Sequence, residues 1–315
     1  MTTIIHARAP QRSTATERTP PLLPVLIWEL RRVLASRLFW FQALGFFCFQ
    51  LFLTWALHAS EGFDTVSNNV QLYASIAGTS ARGLLHTLPL VLVMLVLLLP
   101  FVTADGVTRD LSRRTHELLM TTALPTWAYV WGRYLAGLLI SLGLALLLLA
   151  SILGMGMLLH LTVADYPLPQ IGAVLFLWVG MVLPATILVS SFGFALSTLL
   201  PRLSTLVKVV ILVAWIVGAL VIPRGLGNTT TPPSWYVNWD PTSGITALGL
   251  LPAYAIHLGP SITSEAQLQQ LILSMENKMP DLAGWFAPHL LLAGFSLLLV
   301  LMAALAFKRS RDVLT

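Results

Sequence analysis

The sequence predicts an all-α, polytopic membrane protein with six transmembrane helices and both termini on the cytosolic side. Three observations carry that prediction. Of the 315 residues, 57% are hydrophobic and only 10% are charged, where an ordinary soluble domain carries about 25% charge. Mean hydropathy is +0.82, and the 18 basic and 13 acidic side chains cannot coat a water-soluble surface of this size. Six stretches approach the roughly 20 apolar residues that cross a bilayer, at about 38–58, 84–104, 134–160, 171–199, 207–223 and 285–307. With that count and an inner N-terminus, every Lys and Arg except Arg82, Arg224 and Lys278 falls on the inner side, as the positive-inside bias requires. A seventh span would place Lys308, Arg309 and Arg311 outside, against the bias. The same composition excludes a soluble enzyme and a disordered chain.

Residues 1–22 are polar and rich in Arg, Thr and Pro, without the apolar run of a secretory signal. They read as a disordered cytosolic tail, and their acid-poor composition also admits a transit peptide. Residues 23–315 form a single transmembrane domain. Over 24–38 the pattern is amphipathic: Glu29, Arg32 and Ser36 share a polar side beside Arg31, while Leu26, Leu30, Val33 and Leu34 are apolar. Such a helix lies in the inner interface or extends the first span into the cytosol. The only cysteine, Cys48, sits in an apolar run, so an intrachain disulfide is excluded.

Between the second and third spans the inner loop 105–125 carries the densest polar pattern. As a helix it sets Leu111, Thr115, Leu118 and Leu119 on one stripe and Arg109, Asp110, Arg113, Arg114 and Glu117 opposite. Asp110/Arg114 and Arg113/Glu117 are favourable i,i+4 pairs. This is either a solvated interfacial helix or one that offers a charged face to a cytosolic partner. In the third span Gly137, Ser141 and Ala145 recur every four residues, a spacing that lets helices approach closely, within the bundle or at a dimer seam. The fifth window is short, so Lys208 and Arg224 snorkel at its ends.

Residues 224–281 form an outer helical cap. Trp235 to Pro241 reads as an aromatic interface anchor. The breakers in 241–264 indicate a re-entrant or interfacial piece rather than a span. Ser264-Glu-Ala-Gln267 is a capping box, followed by an apolar stripe of Leu268, Leu271, Ile272, Met275 and Met279. Met155, Met157 and His160 share the outer end of the third span, near His58, His86, His257 and His289 on the outer side. Their scatter over several segments argues for interface histidines over a soft-metal site.

The uncharged windows hold none of the buried Asp, Glu, Lys or Arg that marks ion-driven carriers, and two matching halves with interrupted helices are not visible. No lysine follows a glycine, so a P-loop is absent. His116-Glu117-Leu118-Leu119-Met120 lacks the second histidine of a zinc protease, and there is no Gly-x-Ser-x-Gly turn.

The run Arg114-Thr115-His116-Glu117-Leu118-Leu119-Met120-Thr121-Thr122, followed by Tyr129-Val130-Trp131-Gly132-Arg133-Tyr134-Leu135-Ala136-Gly137, resembles the permease subunits of ABC type-2 exporters. Those carry a pattern like Gly-Thr-x-Glu-Leu-Leu-x-Thr-Thr-Pro, then Gly-Lys near the next span. This chain departs from it with Arg114 for Gly, Ala123 for Pro and Arg133 for Lys. The resemblance implies one half of a transmembrane pathway in a bacterial-type inner membrane. Its expected partners are cytosolic ATP-binding subunits, a second permease copy or paralogue, and membrane lipid, with no nucleic acid. It implies no catalytic, cofactor or metal residue here, with ATP and Mg on the partner subunit. Loop 105–125 becomes a coupling helix in which Arg109, Asp110, Arg113, Arg114, Thr115, Glu117 and Leu118 meet the ATPase, and 24–38 becomes the connecting helix. Helices re-entering the outer leaflet suit 224–281. A non-transporting scaffold and, with less support, a polytopic membrane enzyme are the competing classes.

Overall fold

The computed structural model describes residues 21–60, 62–103, 125–164, 166–226, 232–254, 262–276 and 278–314. A short helix α1 (Leu22–Leu34) precedes α2 (Arg37–Ser60). A hairpin of β1 (Gly62–Ser67) and β2 (Val70–Ser75) leads to α3 (Ala81–Thr103). Then come α4 (Thr126–Thr162), α5 (Ile171–Leu199) and α6 (Pro201–Leu226). Two short helices, α7 (Ser234–Trp239) and α8 (Gly244–Leu250), precede α9 (Glu265–Glu276) and α10 (Ala283–Leu314). Six helices, α2 to α6 and α10, are long and apolar enough to cross a membrane. The protein is thus an all-α polytopic membrane protein with one small hairpin added.

α3 is the centre of the bundle. Leu84, Leu85, Leu88, Val91, Leu92, Leu95, Val96 and Leu99 are all buried, at successive turns around most of its surface. α2, α4, α5, α6 and α8 pack around it, and α10 lies along α5. Hydrocarbon offers no water to hydroxyls, so they bond to their own helices. Thr54, Thr87, Thr103, Ser141, Thr186, Ser191 and Thr198 each donate to the carbonyl four residues earlier. Two contacts join helices instead: Tyr134 Oη and Ser191 Oγ lie 2.8 Å apart, and Trp178 Nε1 donates to the Ala145 carbonyl at 2.7 Å.

Two prolines inside spans, Pro184 and Pro223, are absorbed by wider turns, while Pro89, Pro100 and Pro288 sit within continuous α-helix. A proline ring crowds the carbonyl four residues before it. Pro184 follows a π-helical turn at Trp178–Val182, and Pro223 follows another at Val217–Val221; a π turn makes room at that carbonyl.

Several boundaries differ from the sequence reading. The third span begins not near 134 but at Thr126, because Arg133 is buried within the helix rather than ending it. The fifth helix runs through both Lys208 and Arg224, and Lys208 is buried with its ammonium 4.8 Å from the Phe101 ring. The β-hairpin was not foreseen. Its signal was the Asn68-Asn69 pair between alternating residues: both asparagines have positive φ, 49° and 64°, as a two-residue hairpin turn demands.

The segment after α6 packs into the bundle through one carboxylate. Asp240 accepts hydrogen bonds from the Thr242 amide (2.9 Å), the Thr242 hydroxyl (2.6 Å), the Ile245 amide (2.7 Å) and the Thr246 amide (3.3 Å). It thereby caps α8, whose Ile245 and Ala247 are buried. Burial pushes the Asp240 carboxyl above its usual range, and these bonds pull it partly back. Asp240→Ala removes every one of those acceptors and is expected to cost about 2–4 kcal/mol. Asp240→Asn, which keeps one oxygen, should lose clearly less. Thermal unfolding of the detergent-solubilised chain measures both; equal midpoints for the two variants would contradict the capping role.

Candidate coupling site at the end bearing the first helix

α1 docks on the start of α4. Its only buried residue is Glu29, and its apolar Leu23, Ile27, Trp28 and Leu34 are exposed. Gly132 makes this approach possible: a Cβ there would lie 2.8 Å from Val25 Cγ1. One residue on, the Arg133 side chain is 1% exposed and lies 3.5 Å from Glu29 Oε2. Arg32 also pairs with Glu29, and its guanidinium reaches toward the Trp28 ring. The Arg133 guanidinium sits 5.2 Å from the Trp28 ring and 4.8 Å from the Tyr129 ring. A buried cation is held here by a carboxylate and by aromatic faces, which attract it through their quadrupoles. Tyr129 in turn stacks on Phe307 of α10, ring centroids 5.8 Å apart.

Arg133 thus explains one departure from the motif. A planar guanidinium can stack on Trp28 and Tyr129 while bonding in its own plane, which an ammonium cannot do. The structure brings together Glu29, Arg32, Gly132 and Arg133, which the sequence reading placed in two separate features; Arg31 faces outward. Arg109, Asp110, Arg113, Arg114, Thr115, Glu117 and Leu118 lie outside the described residues. The two ends of their segment are fixed, however. Thr103, at the end of α3, sits in a notch between two glycines: a Cβ at Gly137 would meet Thr103 Cγ2 at 3.2 Å, and one at Gly193 would meet its Oγ1 at 3.3 Å. The other end is Pro125, one turn before Tyr129.

The small-residue stripe is therefore used inside the chain. Gly137 seats Thr103, Ser141 donates to the Gly137 carbonyl at 2.9 Å, and Ala145 accepts the Trp178 indole.

At the opposite end the outer cap closes on the hairpin. Leu268 and Ile272 of α9 are fully buried against Leu72 and Ala74 of β2. The box at the start of α9 has the Gln267 amide donating to Ser264 Oγ (3.3 Å), while the Gln267 side chain accepts from the Thr263 amide (3.1 Å). The Gln269 amide bonds both backbone groups of Ser75, at 3.1 and 3.2 Å. Glu276 accepts the Ala77 amide at 3.2 Å. A cavity of about 570 Å³ opens between this cap and the spans, lined by His58, Tyr73, Tyr166, Glu265 and Gln270 among others. His160 Nδ1 lies 2.7 Å from the Tyr166 carbonyl, and His289 stacks on Trp285, so these histidines serve separate contacts. His257 lies outside the described residues.

Burial pushes the Glu276 carboxyl from 4.5 up to about 7, against the opposing pull of the Ala77 amide, Arg82 and Ser80. The folded cap therefore holds its proton more tightly than the unfolded chain does. The stabilisation is fully present below pH 4.5 and is lost as pH rises through 7, at up to about 1.4 kcal/mol per pH unit in that window. The protection of α9 amides, taken relative to their intrinsic exchange rate at each pH, should be greater at pH 5.5 than at pH 8.5, and Glu276→Gln should erase that difference in protection. At the other end, Glu29→Ala takes away the carboxylate beside buried Arg133 and is expected to cost about 3 kcal/mol. Arg133→Lys keeps the charge but loses the stacked plane, for about 1 kcal/mol. Denaturation midpoints in detergent rank the two; the reverse order would show that the rings outweigh the carboxylate.

The family model described as "ABC-2 family transporter protein" matches residues 56–307, from the end of α2 into α10 and well over half of the chain. No curated protein matches the chain.

Proposed function

The chain belongs to the ABC-2 transporter family as a multi-pass membrane permease subunit, and from that premise we propose that it is half of an ATP-driven exporter. ABC-2 permeases normally work with separate ATP-binding subunits and are not themselves catalytic. In this reading two cytosolic ATPases drive a dimer of this chain with a second copy or a paralogue, in a bacterial-type inner membrane. Hydrolysis takes place on the partner, with its Mg and ATP. Loop 105–125 docks on the ATPase through Arg109, Asp110, Arg113, Arg114, Thr115, Glu117 and Leu118.

The observation that carries this reading is the cluster of Glu29, Arg133, Trp28 and Tyr129. It lies where α4 begins, directly after the segment that carries the motif. A buried ion pair is a costly device for holding one peripheral helix. It makes physical sense where α1 and α4 must move together under load. A mere scaffold has no such load to bear.

Gentle purification of the tagged chain from its native membrane, followed by mass spectrometry, tests the assembly. A stoichiometric ATP-binding subunit is expected. A folded chain that always emerges alone would move the weight to the scaffold. Glu117→Arg, or the pair Arg113→Glu and Arg114→Glu, should leave the chain in the membrane fraction while the ATPase is lost from the complex. Disappearance from the membrane fraction would instead make these residues structural.

A further inference from the structure

We propose that the corner between α1 and α2 is a binding site for one anionic phospholipid. A cleft of about 230 Å³ opens there, between the last turn of α1, the first turns of α2 and the inner end of α3. Its polar lining is Arg32, Ser36 and Gln42, and its apolar lining includes Leu38, Phe39 and Phe101. The two chemistries are segregated as a phospholipid is. The guanidinium, hydroxyl and amide gather at the corner. Leu38 and Phe101, 65% and 51% exposed, continue along the spans as a wall for an acyl chain.

The charge around the cleft selects the headgroup. Arg31 and Arg37 are exposed on either side of Arg32. Beyond the apolar wall, the Lys208 ammonium lies 4.8 Å from the Phe101 ring. The only acidic side chain on α1 is Glu29, which is buried and shared between Arg32 and Arg133, so one carboxylate stands against Arg31, Arg32, Arg37 and Arg133 on these described elements. The field at the mouth is therefore positive, and α2 begins at the same point with its N-terminal dipole directed at it. A zwitterionic lipid brings its own cation into a mouth that already holds three arginines, which an anionic headgroup does not. A soluble anion would leave Leu38 and Phe101 bare. An anionic phospholipid satisfies both, with its phosphate at Arg32, Ser36 and Gln42 and one chain along Leu38 and Phe101. Such a lipid would fill the corner between the interfacial helix and the first span, and so fix the angle at which α1 meets the membrane.

The inference rests on the membrane-spanning reading and not on any transported substrate or on the ATPase. Lipid binding is read without ATP, so a failed complex and an empty cleft are separate results. The test is native mass spectrometry of the purified full-length chain, delipidated and titrated with phosphatidylglycerol, with phosphatidylcholine, or with phosphatidylglycerol plus millimolar inorganic phosphate. One phosphatidylglycerol should be retained about tenfold more strongly than phosphatidylcholine, and inorganic phosphate should not displace it. Arg32→Gln should remove the preference, although the loss of its pair with Glu29 also strains the fold. Ser36→Asp avoids that problem: aspartate caps α2 as well as serine does, yet places a negative charge in the mouth. It should unfold at the same temperature as the parent and lose the preference. Equal retention of the two lipids overturns the proposal, as does displacement by inorganic phosphate or undiminished phosphatidylglycerol binding by the folded Ser36→Asp variant.

Discussion

A polar group inside a bilayer has no water to turn to, and this structure is organised around that fact. The spans are helices because a helix closes its own backbone bonds. Many of their serines and threonines, Ser141, Thr186 and Thr198 among them, return their protons to the carbonyl one turn back, and so cost the bundle little, while the Ser190 and Ser197 hydroxyls are buried without such a bond. Tyr134 with Ser191, and Trp178 with Ala145, use polar atoms to join spans, as does the Lys208 ammonium beside the Phe101 ring. Two of the prolines obey the same constraint: Pro184 and Pro223 each follow a π turn that makes room for the ring. Cohesion is left to shape, and α3 supplies it by presenting leucine and valine in nearly every direction.

Charge enters this scheme at the two ends, by opposite solutions. Beside α1, a permanent cation is buried and matched by a carboxylate and two aromatic faces. Arginine does not lose its proton, so the protein supplies partners. At the cap the buried groups are the carboxylates Asp240 and Glu276, and carboxylates can be neutralised. Both are met mainly by backbone amides, and burial pushes both upward in pKa. One end is thus tied by a buried ion pair flanked by aromatic rings. The other holds its cap through groups that respond to pH.

These differences also decide what the sequence made legible. The six spans could be read because a 20-residue apolar window is a long, redundant signal. The start of α4 could not, because Arg133 looks like an end to hydrophobicity when its partner Glu29 lies a hundred residues earlier. The helix α1 showed in its amphipathic periodicity, but not the fact that its Glu29 turns toward protein. The Asn68-Asn69 hairpin had a readable local signature that the strong helical background hid. Gly137, Ser141 and Ala145 were visible as a stripe, but spacing alone does not say which neighbour a stripe meets. For the motif that pointed to the family, the register from Glu117 to Gly132 was informative because it is linear in sequence.

The anchoring of the motif-bearing segment has a mechanical consequence. The described residues flanking that segment are Thr103, at the end of α3, and Pro125, just before α4. Thr103 is wedged between Gly137 and Gly193, so the end of α3 is locked to both α4 and α5 at side-chain contact distance. Within two turns of Pro125, Tyr129 and Arg133 tie α4 to α10 and to α1. A displacement of either anchor therefore meets packed side chains at once. It passes at one end into the most buried helix of the bundle, and at the other into a helix braced by the interfacial helix. Close-packed interiors shift between discrete arrangements rather than stretch. The two anchors thus sit on closely packed helices, whereas α2 and α6 bury only 22% of their apolar windows within the chain and α10 only 17%.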